Sequence, residues 1–87
     1  MNKTTKIFLK ILSGRNDSNI EFLDLVNLMK SFKFDERING SHHIFSKKGI
    51  TEIINIQPDE NNKSKAHQVK PIRNIMLKYK LGEIENE

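Results

Sequence analysis

The sequence predicts an α+β fold in which three helices pack against a three-stranded antiparallel sheet, in the order α-α-β-β-β-α. Changes of hydrophobic period lead to this prediction. Apolar residues recur with helical spacing before Phe32, alternate with polar residues between Phe34 and Gln57, and return to helical spacing after His67. Because short turns separate the predicted strands, the sheet should be a meander with the helices on one face.

Two helices are predicted in the first third of the chain. Thr4 or Thr5 would cap a short first helix, and Gly14 would end it. Ser18 and Glu21 have the spacing of a capping box, which predicts the start of a second helix over residues 20–32. The apolar positions that repeat with helical spacing in this segment are Phe22, Leu25, Val26, Met29 and Phe32.

Three strands are predicted in the middle of the chain. Asn39-Gly40 is the strongest hairpin signal, because both central residues of a type I′ turn need a positive φ. A second tight turn is predicted at Lys47-Lys48-Gly49. The predicted strands cover residues 34–38, 41–46 and 51–57.

The last part of the chain is predicted to be a polar, mobile loop over residues 59–66, followed by a basic helix over residues 67–81. Pro71 is tolerated only in the first turn of a helix, which places the predicted start near His67. The apolar face of this helix consists of Val69, Ile72, Ile75, Met76 and Tyr79.

The predicted hairpin determines where the two adjacent histidines point. With Asn39-Gly40 as a two-residue turn, Arg37 lies opposite His42 and Glu36 opposite His43. His43 then shares the face that looks toward the helices, where a histidine is usually a structural group bonded to a neighbour. His42 points away from the core beside Arg37.

His42 and Arg37 together suggest cleavage of RNA by its own 2′-hydroxyl. An adjacent guanidinium disfavours the imidazolium, so that more neutral imidazole is present to accept a proton. The guanidinium also binds phosphate in a bidentate manner. Cleavage of this kind needs a base for the hydroxyl and a cation for the charge that develops on phosphorus. The alternative is an exposed histidine without a role.

Charge and composition restrict the partners. The net charge is +4, and residues 61–82 contain six basic residues and no acid. Such a stripe suggests a polyanion or an acidic protein as partner, although a merely solvated face is the alternative. The basic residues are Lys63, Lys65, Lys70, Arg73, Lys78 and Lys80.

Several function classes are excluded or disfavoured. The chain has no cysteine, which excludes disulfides, thiolate zinc sites and cysteine nucleophiles. His42 and His43 point to opposite faces of a strand, so no metal site is predicted. The apolar run near the N-terminus is too short to span a membrane, and we expect a cytoplasmic protein.

The segment Gly40-Ser41-His42-His43-Ile44-Phe45, together with the order of the elements around it, resembles the HicA family. These proteins are the toxins of bacterial and archaeal toxin–antitoxin pairs. The resemblance spans residues 20–81 of a single domain over residues 1–87. Residues 1–19 would be an N-terminal extension and residues 82–87 an acidic tail.

The resemblance implies a fold like that of double-stranded-RNA-binding domains and a metal-independent endoribonuclease that cleaves mRNA without a cofactor. It makes His42, directly after Gly-Ser, the catalytic residue, and a HicB-like antitoxin the protein partner that covers the site. The candidate substrate-binding residues are Arg37, Ser41, Lys63, Lys65, Lys70 and Arg73.

Departures from the family pattern leave other functions open. Many members have a second histidine after the third strand, where this chain has Gln57-Pro58-Asp59. His67 is therefore expected to be a polar residue at a helix start and not a second acid–base group. The alternative functions are a non-catalytic RNA-binding module of the same fold and an adaptor for an acidic protein.

Overall fold

The structure is a computed structural model that describes residues 2–82 and confirms the α+β fold, with a single three-stranded antiparallel sheet in the order β1-β2-β3. Of the predicted acidic tail over residues 82–87, residues 83–87 lie outside the described residues. The elements are α1 (Lys3–Ser13), a 3-10 helix (Asp17–Asn19), α2 (Phe22–Ser31), β1 (Asp35–Asn39), β2 (His42–Lys47), β3 (Ile50–Ile56) and α3 (Ala66–Lys78).

The core lies between the three helices and one face of the sheet. Phe45 on the central strand is completely buried. Ile54 and Ile56 on β3 are buried as well, with only a few per cent of their surface exposed. Burying one large apolar side chain contributes roughly 1.5–3 kcal/mol, so this layer accounts for the docking of the sheet. The helical residues that meet it include Ile11, Leu25, Met29, Val69, Ile72 and Met76.

The first helix ends as the sequence predicts but starts with a different cap. Gly14 has a φ of 70° and donates its N–H to the Ile11 carbonyl at 3.2 Å, which ends the helix in a left-handed residue. The N-cap is Asn2, and neither Thr4 nor Thr5 takes that role. Oδ1 of Asn2 accepts a hydrogen bond from the Thr5 N–H at 2.8 Å.

The capping box predicted at Ser18 and Glu21 is wrong. Ser18 lies inside the 3-10 helix Asp17–Asn19, and Glu21 is itself the N-cap of α2, without a side-chain capping bond. The Glu21 carboxylate instead accepts a hydrogen bond from Lys63 Nζ at 2.7 Å. A tertiary contact therefore takes the place of the local one.

The loop between β3 and α3 is not the unattached segment that the sequence predicts. The Phe22 N–H donates to the Asn62 carbonyl at 3.0 Å, and the Ser64 N–H donates to the Ile20 carbonyl at 2.7 Å. Within the loop, Asp59 Oδ1 accepts hydrogen bonds from backbone N–H groups, as in an Asx turn. The loop is thereby fixed to the start of α2.

The third helix begins at Ala66, so that Pro71 is its sixth residue and lies beyond the first turn. The predicted position of Pro71 in the first turn is therefore wrong. Proline has no N–H, and the His67 carbonyl consequently lacks its usual partner four residues on. The predicted apolar face is nonetheless buried at Val69, Ile72 and Ile75.

The predicted pairing of β1 with β2 is wrong by two residues. Asn39 lies opposite His42, and Arg37 lies opposite Ile44. The turn therefore consists of Gly40 and Ser41. Gly40 has a φ of 62°, whereas Asn39 does not have a positive φ. Glycine in the first central position is the signature of a type II′ turn.

The faces of the two histidines are predicted correctly despite this shift. Side chains alternate along a strand, so a displacement of two residues returns each side chain to the same face. His43 lies on the helix side with Phe45, and His42 lies on the opposite side. Ile38 shares the helix-side face but remains 59% exposed, because it lies beyond the area that the helices cover.

The C-terminal end of α3 is fixed to β3 through Glu52. The Tyr79 hydroxyl and the Lys78 ammonium group both donate hydrogen bonds to its carboxylate. These two contacts, that of Tyr79 first, lower the pKa of Glu52 from 4.5 to about 2.

Acid should therefore weaken the fold through Glu52. Because the folded pKa lies below the unfolded one, the contribution of Glu52 is complete above about pH 4.5 and is lost as the pH falls toward 2. Urea unfolding of the wild type and of Glu52→Gln over this pH range measures the effect. The variant should show a smaller loss of stability with acid, and parallel curves for the two proteins would contradict the assignment.

Within residues 2–82, no helix is long and apolar enough to cross a membrane.

Candidate functional site

The face of the sheet opposite the helices, which we call the outer face, carries His42. The helices cover the other face, so within residues 2–82 no helix lies over the outer face, and a large ligand can reach it. Its residues are Asp35, Arg37 and Asn39 of β1, His42, Ile44 and Ser46 of β2, and Thr51, Ile53 and Asn55 of β3.

His42 is exposed and is held at one ring nitrogen by Asn55. Nδ1 of His42 lies 3.0 Å from Oδ1 of Asn55. An amide oxygen only accepts, so the Nδ1–H donates, and this hydrogen bond assigns the tautomer of the neutral ring. Nε2 then has the lone pair, and it has no hydrogen-bond partner within residues 2–82. The ring is arranged to accept a proton at Nε2.

Arg37 is near His42, although not directly across the strands as predicted. Its direct partner is Ile44, which makes His42 a diagonal neighbour. Diagonal positions are about 7–8 Å apart, within reach of a long side chain. Arg37 is exposed and forms no ion pair with any described residue. Its guanidinium is therefore available to an anion beside His42.

Ser41 connects the hairpin turn to the third helix. Its hydroxyl donates to Oε1 of Gln57 at 3.2 Å, and the Gln57 N–H donates to Oε1 of Gln68 at 3.2 Å. These bonds bring the start of α3 to the end of the sheet where the Gly40–Ser41 turn precedes His42. The basic residues at the start of α3 therefore lie at the same end of the sheet.

The three candidate lysines differ in their surroundings. Lys63 donates to Glu21 at 2.7 Å and to Oδ1 of Asn19 at 3.0 Å, so its charge is already paired. Lys65 is the half-buried N-cap of α3, and Lys70 is exposed on the same helix. Neither forms an ion pair with a described residue, which makes these two the lysines open to an external anion.

Arg73 does not join this group, because an internal ion pair holds it. Its guanidinium donates to both carboxylate oxygens of Asp17, at 2.9 and 3.1 Å, and to the Ile11 carbonyl at 3.1 Å. The bond to Asp17 raises the pKa of Arg73 above its usual value. The side chain fastens α3 to the N-terminal segment, which argues against a role in binding phosphate.

His43 has the structural environment that its predicted face implies. Its Nδ1 lies 2.7 Å from Oε2 of Glu36, and Lys30 lies 3.1 Å from the other oxygen of that carboxylate. The hydrogen bond from His43, helped by Lys30, lowers the pKa of Glu36. The His43 ring also meets the ring of Phe22 edge to face. This histidine joins β2 to β1 and α2.

His67 lies exposed in the first turn of α3, as expected for a polar residue at a helix start. It lines a shallow groove between β3 and α3, and Asn55 lines the same groove. No hydrogen bond joins His67 to His42 within the described residues.

Sequence reasoning missed Asn55 and Gln57 as members of the site. The alternation of β3 does place Asn55 on the outer face, and this signal was available. The pairing of β2 with β3 could not be predicted from the sequence, because an irregularity between Phe45 and Lys47 shifts the register after the turn.

Comparisons with family models, curated proteins and solved structures find no match to this chain. The HicA assignment, with the activity and the partner that it implies, therefore stays a prediction.

Proposed function

We propose that this chain is an endoribonuclease of the HicA type, a toxin that cleaves mRNA in the cytoplasm and is inhibited by a HicB-like antitoxin. The fold would be that of a double-stranded-RNA-binding domain. The observation that carries the proposal is the arrangement of His42, which is exposed on the outer face with Nδ1 bonded to Asn55 and with no partner for Nε2 among residues 2–82.

In the proposed reaction, Nε2 of His42 removes the proton from a 2′-hydroxyl of the RNA. The 2′-oxygen attacks the adjacent phosphorus, and the bond from phosphorus to the 5′-oxygen breaks. Water supplies a proton to the leaving oxygen. The products are a 2′,3′-cyclic phosphate and a 5′-hydroxyl end. Because the RNA supplies its own nucleophile, these steps need neither a metal ion nor a cofactor.

Arg37 would stabilise the negative charge that develops on the phosphorane oxygens, since a guanidinium forms paired hydrogen bonds with phosphate. Lys65 and Lys70 would bind flanking phosphates, because they lie at the His42 end of the sheet and form no ion pair with any of residues 2–82. Ser41 would hydrogen-bond near the scissile group once RNA displaces Gln57 as its acceptor.

An antitoxin that covers the outer face would also meet apolar surface. Ile53 is 69% exposed on this face, beside the half-buried Ile44 on the neighbouring strand. Apolar residues surrounded by polar ones are typical of protein interfaces. The same surface that receives RNA would then be occluded in the inactive pair.

A non-catalytic RNA-binding module is the second candidate, and the charges of Lys65 and Lys70, which are not paired by any residue in the described part of the chain, favour it equally. Such a module would bind RNA through phosphates, with an affinity that falls steeply as salt rises. It would not depend on His42.

Incubation of the purified chain with an RNA and with a DNA of the same sequence tests the proposal. We expect the RNA to be cut and the DNA to be left whole, because DNA lacks the 2′-hydroxyl. Cleavage of both would contradict a mechanism that uses this hydroxyl. Salt-dependent retention of RNA without cleavage would favour the binding module, and no retention at low salt would favour an adaptor for an acidic protein.

A further inference from the structure

We infer that Asn55 is a positioning residue, which fixes the tautomer of His42 so that Nε2 is the nitrogen that accepts the proton. This inference rests on the proposed function, since it assigns a role in the same reaction. The direct observation is the 3.0 Å hydrogen bond between Nδ1 of His42 and Oδ1 of Asn55.

The position of Asn55 within β3 has no structural explanation of its own. Asparagine is disfavoured in strands, where β-branched residues fit best. The neighbours Ile54 and Ile56 are buried in the core, whereas Asn55 is exposed on the outer face. Its side chain makes one hydrogen bond within the described residues, and the partner is His42. The side chain of Asn55 therefore supports the imidazole, while its backbone pairs with β2 in the sheet.

The chemical consequence follows from the two nitrogens of a neutral imidazole. One carries the proton and the other the lone pair, and a hydrogen bond at one nitrogen decides which. Without an acceptor at Nδ1, the proton is free to occupy Nε2, which would then have no lone pair for the 2′-hydroxyl. The amide acceptor is neutral, so it fixes the tautomer without adding the charge that a carboxylate would bring.

The strand pairing explains why Asn55 is suited to this task. Asn55 lies directly opposite Ile44, and His42 is two residues before Ile44 in β2, on the same face. Both side chains stand on neighbouring strands of one sheet, so the backbone limits their relative motion. A site built on strands holds its geometry better than one built on loops.

Nitrogen-15 NMR of the imidazole rings tests the inference without RNA. At a pH where the ring of His42 is neutral, the wild type should show a protonated Nδ1 and an unprotonated Nε2. Asn55→Ala should lose this signature, and Asn55→Asp, which keeps an acceptor, should retain it. Asn39→Ala is the matched control, because Asn39 lies opposite His42 on β1 without a hydrogen bond to its ring.

Kinetics with RNA provide the second readout. Loss of a neutral hydrogen bond should lower kcat of Asn55→Ala about three- to tenfold, with KM unchanged, whereas Asn39→Ala should keep the wild-type rate. A wild-type His42 protonated at Nε2, or an Asn55→Ala variant with the wild-type signature and rate, would overturn the inference.

The two readouts separate the failure of this inference from the failure of the proposed function. If the tautomer depends on Asn55 but RNA is not cut, the hydrogen bond stands and the ribonuclease proposal fails. If His42 is needed for cleavage but Asn55→Ala changes neither the tautomer nor kcat, the proposal stands and Asn55 has no positioning role.

Discussion

Replacement of His42 by alanine is expected to lower the rate of RNA cleavage by about 10²- to 10⁴-fold, the usual contribution of a general base. Expression of the wild type in a host cell should arrest growth and deplete mRNA, and the variant should do neither. Stability should change little, because His42 is exposed and its side chain makes one hydrogen bond within the described residues, to another exposed residue.

His43→Ala is the matched control for this prediction, since the two histidines are adjacent in sequence but face opposite sides of the sheet. Loss of the hydrogen bond between His43 and Glu36 should lower the free energy of unfolding by about 1–3 kcal/mol and leave the folded protein active. If His43→Ala abolished cleavage while stable and His42→Ala did not, the roles of the two faces would be reversed.

Among these single substitutions, replacement of Arg73 by methionine should lower the free energy of unfolding most. The change removes the bidentate contact of the Arg73 guanidinium with the Asp17 carboxylate. It also removes the hydrogen bond from this guanidinium to the Ile11 carbonyl. Removing one partner of a fully buried ion pair costs about 3–5 kcal/mol. Because this pair is partly exposed, we expect urea unfolding to show a free energy of unfolding that is lower by about 2–3 kcal/mol. The total free energy of unfolding of a domain of this size is only about 3–5 kcal/mol, so the variant should be close to unfolding.

Lys70→Met is the control on the same helix. Lys70 is exposed and unpaired within the described residues, so its loss should change stability by less than about 0.5 kcal/mol. It should, however, weaken RNA binding and lessen its dependence on salt. An Arg73→Met protein that is fully stable but no longer binds RNA would show that Arg73 contacts the nucleic acid after all.

Much of the fold was predictable because the sequence changes its hydrophobic period at the right places. Alternation also gave the correct faces for His42 and His43, since a register error of two residues leaves the faces unchanged. The register itself was not predictable, because Asn39-Gly40 and Gly40-Ser41 overlap and both are favourable hairpin pairs. The pairing of Asn39 with His42, and the absence of a positive φ at Asn39, distinguish the two turns.

The errors occurred where tertiary contacts replace local ones. Glu21 has the spacing for a capping box, but its carboxylate accepts a hydrogen bond from Lys63, which is far away in the sequence. Arg73 belongs to a basic stripe in the sequence, yet the fold brings Asp17 to it. The contact between Asn55 and His42 depends in the same way on a strand pairing that no short segment specifies.

The chemical ends of the RNA fragments provide the most direct test of the central claim, that the Nε2 of His42 activates the 2′-hydroxyl of RNA. Fragments made by the purified chain should carry a 2′,3′-cyclic phosphate and a 5′-hydroxyl, and a 2′-O-methyl group at the cleaved nucleotide should prevent their formation. Fragments with a 5′-phosphate, or cleavage next to the methylated nucleotide, would contradict the claim, because water and not the RNA would then be the nucleophile.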